Sequence, residues 1–329
     1  MEMRKIGDRE VSVLGVGGMS FSDFYGATDE AESHAVLDAA VAAGVTHIDT
    51  ANVYGMGKSE SAIGSWLASR GGRDGLFIAT KAGIARGIGA AAGNFDNSAD
   101  YLEAELDGSL KRLGVDHVDL FYIHRRDQSI PIEEVTATLA RLVEKGKTRA
   151  FGYSEISPAS LRRAAAVAPV AAVQSEYSLQ TRVPELGLLQ TCAELGTMLV
   201  AFSPVGRGLL TDLPPTAEKY ADSQPWMAAN PRFVEPNLSA NVAATEPLRE
   251  LARSLGISTA ALALRWVYDQ AEHIVAIPGT RSVDRFAEYL SAETVPEAAM
   301  EEVARLLPPG WAHGDRYSHA QWNGPENYC

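Results

Sequence analysis

Val118-Asp119-Leu120-Phe121-Tyr122-Ile123-His124 decides the architecture. The run is apolar on both faces of an extended chain, as a parallel strand covered by helices requires. It ends on His124, a residue with chemistry to perform. Two earlier stretches are built alike: Thr46-His47-Ile48 closes on Asp49, and Phe77-Ile78-Ala79-Thr80 closes on Lys81. Tyr54 lies in the loop just past Asp49. Further strands are expected at Val13–Val16, Ala150–Tyr153, Ala172–Glu176, Met198–Phe202 and His273–Ile277, giving eight in all.

Amphipathic segments with recognisable starts separate the strands. Asp29 and Glu32 have the spacing of a capping box. Ser157-Pro158 sets an N-cap residue before an N1 proline. Asp100-Tyr101-Leu102-Glu103 opens a helix with Leu106, Leu110 and Leu113 on one side, and Gly114 stops it. Ser258 opens another. The alternation predicts an α/β fold, a (β/α)₈ TIM barrel, with residues 1–329 forming a single domain. A doubly wound dinucleotide-binding sheet is the runner-up. Gly15-Val16-Gly17-Gly18-Met19-Ser20 has no third fingerprint glycine and opens no helix, so that motif is set aside.

Three segments, Met3–Val11, Gly206–Ala244 and the tail from Pro308, exceed a minimal barrel. Met3–Val11 is expected to be a hairpin turning at Gly7-Asp8 and plugging the barrel bottom. Gly206–Ala244, after the seventh strand, has the length of a functional lid loop. The tail from Pro308 to Cys329 is rich in Trp, His and Tyr without a helical period. Gly83–Asn97 is Gly/Ala-rich and expected to be mobile.

Composition narrows the function. A net charge of −13 argues against a nucleic-acid partner, because phosphate binding needs a basic face. No apolar run approaches the ~20 residues that span a bilayer, so no membrane partner is expected. The two cysteines, Cys192 and Cys329, have no metal-ligand spacing, and neither a metal nor a disulfide framework is expected. Met1-Glu2-Met3-Arg4-Lys5 leads into no apolar signal region, which points to a cytoplasmic protein. Oligomeric state is left open.

In a barrel of parallel strands the C-terminal strand ends meet at one mouth, where catalysis sits. Asp49, Tyr54, Lys81 and His124 would therefore converge. A free tyrosine, with a pKa of ~10, is a poor acid–base group near neutrality. A neighbouring ammonium favours phenolate and would lower that value. A carboxylate would hold the lysine charged, and the imidazole would hydrogen-bond a carbonyl oxygen or relay its proton. Such a set suits protonation of a carbonyl oxygen while hydride arrives at carbon. Taken singly, each residue also has a structural reading: loop cap, solvated charge, rim histidine or turn packing. Three successive strand ends make coincidence a poor explanation.

The segment Gly44-Val45-Thr46-His47-Ile48-Asp49-Thr50-Ala51-Asn52-Val53-Tyr54-Gly55 closely resembles the first signature of the aldo-keto reductases. The resemblance continues through Ile78–Lys81, Asp119–His124, Gly146–Ser154, Val173–Tyr177, Ala201–Pro204 and Ile277–Arg281, in the family's order. It implies a barrel that binds NADPH/NADP+ in an extended conformation and reduces aldehydes or ketones. Tyr54 would be general acid, Lys81 would tune it, Asp49 would anchor Lys81, and His124 would orient the carbonyl. An NADP-binding regulatory barrel with slow turnover, similar to potassium-channel β-subunits, is the alternative.

The resemblance also carries over cofactor contacts. Gln174 and Ser154 would bond the nicotinamide amide, beside Asp49 and with Gly18 and Met19 nearby. Phe202 stands where the family commonly has a stacking tyrosine. Ser203, Pro204, Val205, Gly206 and Arg207 would wrap the pyrophosphate. Gly279, Thr280, Arg281, Arg285 and Glu288 would hold the adenosine end, the two arginines gripping a 2′-phosphate. Many members have Ser-Asn where this chain has Ser154-Glu155, so Glu155 is a less secure contact. A Ser-Glu form resembles a bacterial subgroup of pyridoxal-reductase and general-stress type, which shares Gln174-Ser175-Glu176-Tyr177-Ser178-Leu179.

Substrate contacts are expected from Phe21, Phe24, Tyr25, Arg125 and Trp226. Arg125 and Arg126 either steer an anionic or hydroxylated substrate or pair with Asp127, the second reading being preferred. Trp226, Trp311, His313, Tyr317 and Trp322 would form a lid, or simply pack the tail on the barrel.

Overall fold

Strands without a polar face need cover on both sides, and this chain supplies it by alternating them with helices. The computed structural model describes residues 1–85, 94–218 and 229–328. It opens with an antiparallel hairpin, β1 (Met3–Ile6) and β2 (Arg9–Ser12), turning at Gly7-Asp8. The parallel strands follow: β3 (Val16–Gly17), β4 (His47–Asp49), β5 (Phe77–Ala82), β6 (Val118–Ile123), β7 (Thr148–Ser154), β8 (Ala172–Glu176), β9 (Met198–Phe202) and β10 (Ile274–Ala276). They neighbour one another in chain order. The sheet closes where Gly15 N donates to Ala276 O (2.8 Å) and Ala276 N to Val13 O (2.9 Å), around a parallel Leu14–Ala276 bridge. This is the expected (β/α)₈ barrel.

Alternation along each strand separates two cores. Phe77, Ala79, Leu120, Tyr122, Met198, Val200 and Val275 fill the barrel interior, and Ile6 and Val11 of the hairpin join them from below. Ile78, Phe121, Ile123, Val173, Leu199 and Ala276 point outward against Leu37, Ile63, Trp66, Leu106 and Leu139 of the helices. Gly152 permits one close crossing inside, since a Cβ there would lie 2.8 Å from the Tyr122 ring.

The local signals hold. α1 (Glu30–Ala42) begins in a full Asp29/Glu32 capping box. α2 (Lys58–Ser69) follows three consecutive left-handed residues, Gly55, Met56 and Gly57. α3 (Ala99–Leu113) ends at Gly114 with φ 67°, α4 spans Ile132–Glu144, α5 (Pro158–Ala165) is capped by Ser157, and α6 spans Leu188–Leu195. The stretch expected as a lid loop is partly helical, with Asn237–Ala244 forming a helix. Of the stretch Gly83–Asn97, expected to be mobile, residues 86–93 lie outside the described residues, and Ile84 and Phe95 on either side form an antiparallel bridge. No helix among the described residues is long and apolar enough to cross a membrane.

Every described non-glycine residue with positive φ lies in a loop leaving the C-terminal end of a barrel strand. These are Asp23, Met56, Glu155, Ser203 and Arg207. Such conformations persist only where surrounding contacts over-determine them, and they gather at functional sites.

Candidate active site

Strand register sets the polar residues of the mouth. Asp49 pairs with Ala79 across β4 and β5, Lys81 with Tyr122 across β5 and β6, and Ser154 with Gln174 across β7 and β8. Lys81 falls inside β5 rather than after it, because the strand runs on to Ala82. Its ammonium donates to Asp49 Oδ1 and to Thr50 O (2.8 Å), with both side chains buried. Gln174 Nε2 donates to the other carboxylate oxygen, Asp49 Oδ2, at 2.9 Å. Lys81 Nζ also stands 5.2 Å from the Tyr54 ring centre. The Tyr54 and His124 rings meet edge to face at 5.6 Å. The structure therefore brings the four residues together.

Burial dominates their titration. It pushes Asp49 up and Lys81 down, each opposed by the charge of the other. Burial and the Asp49 carboxylate push Tyr54 above the ordinary phenol value. The expected lowering by the ammonium does not occur, since Lys81 spends its charge on Asp49. His124 is held well below the ordinary imidazole range by burial, then by Arg125 and Lys81. It is a neutral imidazole, and its buried Nδ1 has no hydrogen-bond partner among the described residues.

Around this centre the expected cofactor residues divide. Ser154 Oγ accepts from Arg125 Nη1 at 3.1 Å. Phe202 is half-buried at the end of β9, and Ser203 and Arg207 beyond it hold left-handed backbones. Pro204, Val205 and Gly206 are buried between them. Gly18 sits where a Cβ would meet Ser59 Oγ at 2.9 Å, and Met19 follows in the same 3-10 turn. Thr280 is buried beside the exposed Gly279, while Arg281 donates to Ala27 O. Arg285 is exposed and Glu288 half-buried on the helix Val283–Leu290.

Two of these side chains face other duties. Glu155 accepts from Ser175 Oγ (3.1 Å), Glu176 N (2.8 Å) and Arg316. Arg207 donates to buried Glu176 at 2.8 Å, so its charge is answered within the protein. Burial pushes the Glu176 carboxyl up, but Arg207, Arg316 and Arg232 together hold it down at about 2. Arg316 also stacks on Tyr317 and Trp322, 4.7 and 5.0 Å from the ring centres. The C-terminal tail is thus fastened over the mouth by charge. Arg316 carried no signal in the sequence, being one arginine in an aperiodic tail.

The expected substrate residues also divide. Phe21 is wholly buried in the core, so it lines no pocket; the 3-10 turn directs it inward. Phe24 and Tyr25 pack on Leu209, Phe233 and Leu238, and burial pushes the Tyr25 phenol to about 12. Trp226 lies outside the described residues. The preferred pairing of Arg125 and Arg126 with Asp127 is not found. Asp127 instead accepts from Ser129 N (3.0 Å) and Ser129 Oγ (2.5 Å). Arg126 lies 3.4 Å from Glu326, and Arg125 Nη1 donates to His124 O at 2.7 Å.

The Aldo/keto reductase family profile matches residues 13–307. The NADP(+) aldo-keto reductase yakc of Schizosaccharomyces pombe is 36% identical over 319 residues, covering 95% of this chain and 94% of that one. Aldo-keto reductase str7 of Strobilurus tenacellus is 37% identical over 326 residues, covering 95% and 94%. The structure of a glycerol dehydrogenase from Gluconobacter oxydans superposes with a TM-score of 0.81 at 27% identity, covering 94% of this chain and 96% of that one. The chain belongs to the aldo/keto reductase family.

Proposed function

We propose that this protein is an NADPH-dependent carbonyl reductase that converts aldehydes or ketones to alcohols, with Tyr54 as general acid. One observation carries the reading: Tyr54, His124 and the Lys81–Asp49 pair share one barrel mouth, with the phenol held protonated. A phenol above its ordinary pKa keeps its proton at neutral pH and can give it to an oxygen that becomes alkoxide-like. Neutral His124 donates one N–H to the same oxygen and orients it. Buried Lys81, fixed by Asp49, sets its ammonium beside the Tyr54 ring, a cation–π contact that holds the phenol in place.

The side chains present fit a nicotinamide dinucleotide. Ser154 Oγ accepts from Arg125 and keeps its own hydrogen to donate, while Gln174 gives Nε2 to Asp49 and keeps Oε1 as acceptor. That donor–acceptor pair complements a primary amide. The half-buried face of Phe202 suits stacking on an aromatic ring. A bound nicotinamide supplies the hydride. The exposed Arg285 and half-buried Arg281 favour a phosphorylated ribose, in keeping with the NADP(+) in the name of the S. pombe relative.

The test is NADPH oxidation by the purified protein with a panel of aromatic and aliphatic aldehydes, beside an independent titration of NADPH binding by fluorescence. Wild type should turn over and Tyr54→Phe should bind NADPH but lose turnover. Equal rates for the two proteins across the panel would overturn the reading. Tight cofactor binding without turnover would favour the regulatory alternative.

A further inference from the structure

We infer that Arg125 makes this site selective for carbonyl compounds bearing a carboxylate, which it holds through the side of its guanidinium that the protein leaves unpaired. The inference rests on the carbonyl-reductase reading and names its substrate class.

Arg125 directly follows His124 and is half-buried. Its hydrogen bonds all leave from Nη1, to His124 O at 2.7 Å and Ser154 Oγ at 3.1 Å. Both acceptors are neutral. No carboxylate pairs with Arg125 among the described residues, and the candidates nearby are committed elsewhere. Glu155 takes Arg316, Ser175 Oγ and Glu176 N, Glu176 takes Arg207, and Asp127 takes Ser129. Nη2 and Nε are left as donors with a full positive charge behind them.

The side chain is also fixed. A Cβ at Gly324 would fall 2.8 Å from Arg125 Cδ and 3.1 Å from Cγ and Nε, so only glycine lets the tail backbone lie against the arginine stem. Clamped at its stem and at one nitrogen, the guanidinium has lost rotamer freedom before any ligand arrives, which lowers the cost of binding one. Its charge reaches the reacting groups, since it acts on Tyr54, His124 and Lys81 alike. A partly desolvated, unpaired cation is unfavourable for folding alone, and a carboxylate that completes the fork relieves it. If the guanidinium merely ties the end of β6 to the end of β7, no discrimination between acids and their esters follows.

The experiment compares ω-oxo carboxylic acids of increasing chain length with their methyl esters, as NADPH-dependent kcat/KM. Wild type should prefer the acid over its ester at one chain length or more by at least roughly tenfold, about what one charge-assisted pair contributes. The acid-to-ester ratio should fall towards one in Arg125→Met and lie between in Arg125→Lys, with NADPH titration verifying an intact cofactor site. A measurement without a variant keeps the test sharp: hexanoate should compete with an ester substrate at concentrations where hexanamide does not. An acid-to-ester ratio near or below one at every length, or one that survives in Arg125→Met, overturns the inference, as does equal inhibition by hexanoate and hexanamide. A wild type inert towards acids and esters alike overturns the carbonyl-reductase reading itself, and this inference with it.

Discussion

Gln174 Nε2 donates to Asp49 Oδ2 at 2.9 Å, so the carboxylate that receives the Lys81 ammonium is held from both sides. All three side chains are buried. Asp49 consequently has one orientation, and Lys81 follows it. The same amide that is proposed to meet the cofactor also fixes the ion pair beneath Tyr54.

The ion pair should behave as a unit. Asp49→Asn leaves a buried ammonium without its carboxylate and is expected to cost about 3–5 kcal/mol in urea unfolding. Removing the charge as well, in Asp49→Asn/Lys81→Met, should recover most of that loss, a coupling that a double-mutant cycle measures. A single-variant cost below about 1 kcal/mol would show that the pair is not what holds the mouth.

The pH profile of reduction should carry no titration of His124 near the ordinary imidazole value of 6.5, because burial holds its pKa well below that. Tyr54 has the opposite shift, so its proton is retained to alkaline pH and alcohol oxidation should rise with pH where aldehyde reduction does not. Tyr54→Phe should lower kcat by roughly 10²–10⁴-fold. A reduction rate that falls with the titration of a group near pH 6.5 would contradict this assignment.

Acid stability should depend on His47. Burial depresses this imidazole to about 3, with a smaller contribution from Lys81. Above the ordinary value of 6.5 both folded and unfolded states are neutral, and stability is insensitive to this group. As pH falls below 6.5 the unfolded chain takes up a proton that the folded one refuses, and stability is lost by up to about 1.4 kcal/mol per pH unit. His47→Leu should reduce the slope between pH 6.5 and 5 in urea unfolding by the share of one group, leaving that of the likewise depressed His124 and His117. Glu176, held down at about 2, begins to contribute only below about pH 4.5, so it does not confuse the comparison.

The tail should come loose without Arg316. Arg316→Met strands Glu155 without its ion-pair partner, and removes the stacking on Tyr317 and Trp322. Faster hydrogen exchange and proteolysis across residues 311–328 are expected, with a global loss of up to about 3–5 kcal/mol if the tail unfolds with the barrel. Unchanged protection of the tail would show that its other ties, among them Trp311 Nε1 to Leu179 O at 2.7 Å and Glu326 to Arg126 at 3.4 Å, hold it without Arg316.

The barrel was legible because its signals are local. The runs Val118–Ile123, Ala172–Glu176 and Met198–Phe202 are strands at those limits, and the Asp29/Glu32 box, Ser157-Pro158 and Gly114 mark helix ends. Each depends on neighbours a few residues away. The Asn237–Ala244 helix was missed because its cue, a proline-bearing entry, reads equally as loop. The fate of Arg125 and Arg126 was misread for a different reason. Asp127 is adjacent in sequence, but Glu326 and Gly324, which meet these arginines, lie some two hundred residues away.

The sequence by itself determined that Asp49, Lys81 and His124 stand at strand ends, and hence that they meet, because parallel strands in a closed barrel share one mouth. Only the tertiary structure decided their protonation. Phenol, imidazole and ammonium shift mainly through loss of water, and burial is a property of the packed mouth rather than of any neighbour along the chain. It also decided which charges are answered. Arg207 and Glu155 meet partners within the protein, and Arg125 is left for something else, because the tail's return across the barrel places Arg316 on one carboxylate and Gly324 against one arginine.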